Sequence, residues 1–133
     1  MYNNFRIWFI ACILAITGTV LLCSCAKSGK ESVHISEIEV DSTTGTIYMN
    51  DSAFSGTAWS DDEKSVSIEA NAGELTKVVY YHDNGKPAMV TEPEGGVCFF
   101  SEEGRPMQDR AFFEKYRELA QKAESIMSSI RYK

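Results

Sequence analysis

The chain is expected to be an α+β protein: an antiparallel β-meander of short hairpins followed by one amphipathic C-terminal α-helix. Two observations carry this. A short aromatic–polar–glycine pattern returns at spacings of about 20 residues through the middle of the chain, the mark of one supersecondary unit per repeat. After Pro106 the apolar period lengthens to steps of three and four residues, which is one face of a helix. A third observation sets aside the first residues. Arg6 is followed by a 16-residue run without charge, Ile7 to Leu22, and then by small residues and a cysteine. That is the order of a secretory signal.

The repeat justifies the strands in order. Ala58-Trp59-Ser60-Asp61-Asp62-Glu63-Lys64, Tyr80-Tyr81-His82-Asp83-Asn84-Gly85-Lys86 and Phe99-Phe100-Ser101-Glu102-Glu103-Gly104-Arg105 are three copies. Ile47-Tyr48 ahead of Asn50-Asp51-Ser52 is a looser fourth. In each, an apolar or aromatic pair ends a strand, polar residues turn the chain, and a second strand follows. Asn84-Gly85 suits a two-residue type I′ turn, which needs positive φ at both central positions. Gly104 suits a similar turn. The glycine-free stretch 61–64 calls for another type. Val66-Ser67-Ile68-Glu69 alternates as a half-exposed strand does. Asn71-Ala72-Gly73-Glu74 and Pro93-Glu94-Gly95-Gly96 are turns. Residues 35–107 thus form the meander.

In residues 108–133, Phe112, Tyr116, Leu119, Ala123 and Ile126 share a helical face with Phe113, Ala120, Met127 and Ile130. Asp109 near the start and Arg131 and Lys133 near the end suit the helix dipole. This helix is expected to cover one sheet face, because neither element hides its apolar side alone.

Leu22-Cys23-Ser24-Cys25 resembles the lipobox of a bacterial lipoprotein signal, in which a cysteine after a small residue is lipidated and the chain is cut just before it. Only Cys25 fits, since Leu22 directly precedes Cys23. The resemblance implies a signal peptide over 1–24, acylation (palmitate or a similar chain) at Cys25, and a lipidated flexible tether over 25–34. The uncleaved alternative is a transmembrane helix, but 16 residues fall short of the roughly 20 that span a bilayer. Cleavage leaves 133 less 24, or 109 residues, with 12 bases against 19 acids and a formal charge of −7. So acidic a body argues against nucleic-acid binding, which neutralises phosphates. The expected partners are the membrane, through two-signal anchoring, and another envelope protein.

Of the four cysteines, Cys12 and Cys23 leave with the signal and Cys25 is consumed by lipid. Cys98 alone remains, which excludes an intramolecular disulfide and a cysteine-rich zinc site. Its apolar surroundings, Val97 to Phe100, read as core. A Cys98–His82 nucleophile pair lacks an orienting third group, and His82 sits where the other copies have serine. The Asp61–Glu63 turn lacks the alternating acids and glycine of an EF-hand. No catalytic residue, metal ligand or cofactor is expected.

The repeat resembles the MORN-variant repeat, a short β-hairpin unit of bacterial proteins often labelled antitoxin-like. Phe54-Ser55-Gly56-Thr57 followed by Tyr80–Lys86 and Phe99–Arg105 carries the likeness. It covers roughly residues 46–107. Glu63 departs from the pattern at the glycine of the first copy, and Glu103 at the asparagine of the third. With its lipobox and C-terminal helix, the whole chain resembles small lipoproteins of Bacteroides-type bacteria. The resemblance implies a non-catalytic interaction module in the cell envelope. No acidic cluster follows Cys25, so the anchor is expected to face the periplasm. The alternatives are an immunity or antitoxin-like protein neutralising a partner at the membrane, and an envelope enzyme with an unrecognised site. Paired aromatics point to opposite faces of a strand, so Trp59, Tyr80 and Tyr81 are the candidate partner-binding residues.

Overall fold

The computed structural model describes residues 31–133, and its architecture is α+β. A seven-stranded sheet has the order β1-β5-β6-β7-β8-β9-β10. Its strands are β1 (Glu31–His34), β5 (Gly56–Trp59), β6 (Val66–Asn71), β7 (Glu74–Tyr81), β8 (Pro87–Glu92), β9 (Gly96–Phe100) and β10 (Pro106–Met107). From β5 to β10 each strand pairs antiparallel with the next, which is the expected meander.

The remaining stretches depart from expectation in three places. Residues 31–34 are not tether: they form β1, which adds parallel to β5 with Val33 packed against the core. The backbone of β5 offers a row of unpaired groups, and a strand with one inward apolar side chain is enough to fill it. The approach is so close that a Cβ built on Gly56 would overlap the carbonyl oxygen of Glu31. The early part of the meander instead makes a 3₁₀ turn at Ile35–Glu37 and a second, four-stranded sheet of order β11-β2-β3-β4. Its strands are β2 (Glu39–Val40), β3 (Ile47–Met49), β4 (Ser52–Ala53) and β11 (Arg131–Tyr132).

The third departure is the C-terminal helix. It breaks into α1 (Asp109–Lys115) and α2 (Arg117–Ser128), and its last residues become β11. Tyr116 at the break has φ −115° and ψ 39°. No proline or glycine causes this. The tyrosine ring instead turns onto His82, 4.7 Å away, and its hydroxyl accepts from the Glu102 amide at 3.3 Å. Phe112 is fully buried, but Leu119 is only half-buried, so Leu119 is not the core residue its position in the helical period implied.

Ala58, Ile68 and Val78 are register partners on one face of the large sheet, here called inner. Ile35, Ile38, Ile47, Phe54 and Ile130 complete the core against it. The small sheet and the 3₁₀ turn are thus the main cover, with Ile126 and Met127 of α2 packing at its margin. Val66, Tyr80, Met89, Phe99 and Met107 form a second inner row in register. Phe112 of α1 packs on this row, 5.0 Å from Phe99.

The three repeat turns share one geometry. The amides of Glu63, Gly85 and Gly104 donate to the carbonyls of Ser60, His82 and Ser101, at 2.7, 2.9 and 2.8 Å. Glu63, Gly85 and Gly104 have φ of 54°, 81° and 84°. Asn84 is not left-handed, so the second copy has a three-residue loop closed at His82 and Lys86 rather than a type I′ turn. Two-residue loops with positive φ at both positions occur instead at Asn50-Asp51 and Ala72-Gly73.

Candidate functional site

Cys25 lies outside the described residues. The three candidate binding aromatics are half-buried, and the structure divides them between two faces. Tyr80 is on the inner face. Burial pushes its phenol above the ordinary tyrosine value. It floors a groove of about 700 Å³ beneath the helices, with Met89, Phe113, Ala123 and Met127 as apolar lining and Arg117 at the rim.

Trp59 and Tyr81 are on the outer face. Trp59 is the register partner of Ser67, and Ser67 of Val79, two residues before Tyr81. The two rings stack with centroids 5.8 Å apart at 25°. The Tyr81 hydroxyl lies 3.0 Å from Ser67 Oγ, which is buried beneath the pair. Among the described residues the small sheet and both helices pack on the inner face, and Tyr81 also lines a cavity of about 760 Å³ with Glu118, Leu119 and Lys122 of α2.

Cys98 continues the outer row as the register partner of Val90. It is exposed, which corrects the expectation of a core thiol. β9 lies next to the short edge strand β10, and β10 reaches only Phe99 and Phe100, leaving the apolar run around Cys98 uncovered.

His82, in the loop of the second copy where the others have serine, is buried at 3% exposure. Its Nε2–H donates to the Phe100 carbonyl at 2.8 Å, while Phe112 and Tyr116 contact the ring. Ser60 and Ser101 are buried at the matching positions. The first turn residue of each copy is thus a buried polar anchor satisfied within the turn or by the next hairpin. Asn84 adds to this stacking by donating from Nδ2 to the Glu102 carbonyl at 2.8 Å.

The first turn is held by Asp62. Its Oδ1 accepts from Ser60 Oγ at 2.7 Å, the Ser65 amide at 2.9 Å and the Lys64 amide at 3.1 Å. Burial opposes the charge. The hydrogen bonds from Ser60 and Ser65 and the two amides outweigh it and hold the carboxyl well below the usual carboxylate range. Asp61 and Glu63 on either side point elsewhere. His34 at the end of β1 has Nδ1 3.9 Å from Asp61 and Nε2 3.7 Å from Glu63.

Among the described residues no group of three or more His, Cys, Asp or Glu side chains is placed to hold a metal ion. No described helix is long and apolar enough to cross a membrane. No family model, curated protein or solved structure matches the chain.

Proposed function

We propose that the chain is a lipid-anchored protein of the bacterial cell envelope, held at the membrane through Cys25, whose repeat sheet acts as a non-catalytic interaction module facing the periplasm. The Trp59–Tyr81 stack carries the interaction reading. Two large aromatic side chains stack on each other while each stays only half-buried, which leaves apolar ring surface accessible to a partner. Aromatic anchors of this kind supply much of the binding energy at protein interfaces. The two histidines support a non-catalytic role, because each has a structural use. His82 is a buried hydrogen-bonded anchor, and His34 sits beside two carboxylates at the edge of the sheet.

Affinity capture from native membranes tests this reading. The parent chain is expected to enrich a partner, and Trp59→Ala to lose it while keeping its fold. Turnover of a substrate by the purified chain, with no partner enriched, would replace the interaction reading with the enzyme alternative.

A further inference from the structure

We infer that the cavity between the second repeat turn and α2 binds a neutral sugar of one or two pyranose rings, with His82 Nδ1 accepting from one of its hydroxyls. The inference goes beyond the protein-partner reading above and does not depend on it.

Half of the His82 ring is unused by the fold. Nε2 lies 2.8 Å from the Phe100 carbonyl, which can only accept, so Nε2 carries the proton. In a neutral imidazole Nδ1 is then an acceptor. It has no hydrogen-bond partner among the described residues, in a side chain that is otherwise enclosed. Among those residues no fully enclosed polar side-chain atom lacks a partner. Nδ1 is therefore reached from open space, and the space that His82 lines is the cavity of about 760 Å³. The other two repeat turns leave nothing comparable. Ser60 Oγ donates to Asp62 and accepts from the Ser65 and Val66 amides, and Ser101 Oγ accepts from the Arg105 amide. A buried polar group is rarely left without a partner.

The walls select the ligand. The volume lies within the roughly 300–1,000 Å³ of small-molecule sites. Both signs of charge line it, and part of that charge is already used. Glu114 turns to Arg110, Lys122 to Asp62, and Lys115 sits over the Tyr116 ring. Arg117, Asp83 and Glu118 remain, with neither an ion pair nor a side-chain hydrogen bond among the described residues. A hydroxyl both donates and accepts, so a polyhydroxylated ligand meets carboxylate and guanidinium alike, where an ion of either sign would face one of its own kind. The Tyr81 and Tyr116 rings on the same walls offer apolar faces. A pyranose ring, with hydroxyls around its rim and C–H groups on its faces, uses the imidazole acceptor, the charged groups and the aromatic rings together.

The chain has two histidines, so isotope-labelled histidine reports this site by magnetic resonance with His34 as an internal reference. The full chain is held in lauryldimethylamine oxide micelles, whose headgroup is not a sugar. The probes are cellobiose and diacetylchitobiose, with spermidine and citrate as charged controls. A saturable shift of the His82 Nδ1 resonance with at least one disaccharide is expected. His34 should stay unmoved, and salt should have little effect because the ligand is uncharged. Arg117→Gln/Glu118→Gln should weaken binding roughly tenfold through lost charge-assisted hydrogen bonds. Glu92→Gln/Glu94→Gln, at residues that do not line the cavity, should titrate as the parent does. No shift with either disaccharide overturns the inference. So does a shift with spermidine or citrate alone, which marks ionic attraction, and so does an equal loss in the two double variants. Any of these failures leaves the protein-partner reading in place, since membrane capture with Trp59→Ala tests that separately.

Discussion

Lys122 Nζ lies 3.2 Å from Asp62 Oδ2, joining the middle of α2 to the first repeat turn across 60 residues of sequence. The pair is partly exposed and on its own contributes little. What matters is that Asp62 already organises the turn through the Ser60 and Ser65 hydroxyls and two amides. The helix thereby docks on a preformed carboxylate.

Asp62→Ala should destabilise the domain by about 1–2 kcal/mol, mostly through lost turn hydrogen bonds. The pH dependence has a definite sign. The folded-state carboxyl is depressed below its ordinary value of 3.8. Its contribution is therefore fully present above that value and is lost progressively as the pH falls from it toward the lower folded-state value. Melting curves from pH 6 down to pH 2 should show a steeper acid decline for the parent than for Asp62→Asn. Parallel declines would show that the carboxylate is not coupled to folding.

Glu63→Gly should stabilise the chain by about 0.5–1 kcal/mol. Relief of the left-handed strain outweighs the added freedom of glycine in the unfolded state. Chemical denaturation reads the effect, and an unchanged or lower midpoint would show that the left-handed position costs the glutamate nothing.

Gly56→Ala should free β1. A methyl group there overlaps the Glu31 carbonyl, and overpacking of this kind costs about 1–3 kcal/mol. Hydrogen exchange at the amides of residues 32–34 should accelerate far more than exchange in β7. Unchanged protection would mean that β1 is not held at this distance.

Phe112→Ala should cost about 3–5 kcal/mol, since the ring is fully buried among Phe99, Phe113, Tyr116 and His82. Leu119→Ala, at a half-buried site, should cost less than about 2 kcal/mol. Urea denaturation of the two variants tests the order. Equal losses would place α2 closer to the sheet than the groove beneath it allows.

The meander from Trp59 to Met107 was legible because its signals are local. Aromatic pairs end strands, and glycines stand where the chain turns left-handed. The second sheet was not legible, because β2 and β11 have two residues each and exist only through the pairing of Arg131 with Glu39 and Tyr132 with Val40, far apart in sequence. β1 was hidden in a polar stretch with a single valine. The break at Tyr116 lacked a proline or glycine and follows from a tertiary contact with His82. Of the candidate site, Trp59 and Tyr81 could be named from their place in the repeat. Their stacking across the sheet depends on register. The glutamate at the glycine position of the first copy was visible as a departure, but its placement beside His34 required β1.

The proposed role stands on Cys25, for without an anchor nothing holds this acidic domain at a membrane. Intact mass of the chain isolated from native membranes tests this most directly. The account predicts a protein that begins at Cys25 and carries the added mass of acyl chains, with Cys25→Ser shifting it to an unprocessed or soluble form. An N-terminus at any other residue, or an unmodified Cys25, would contradict it.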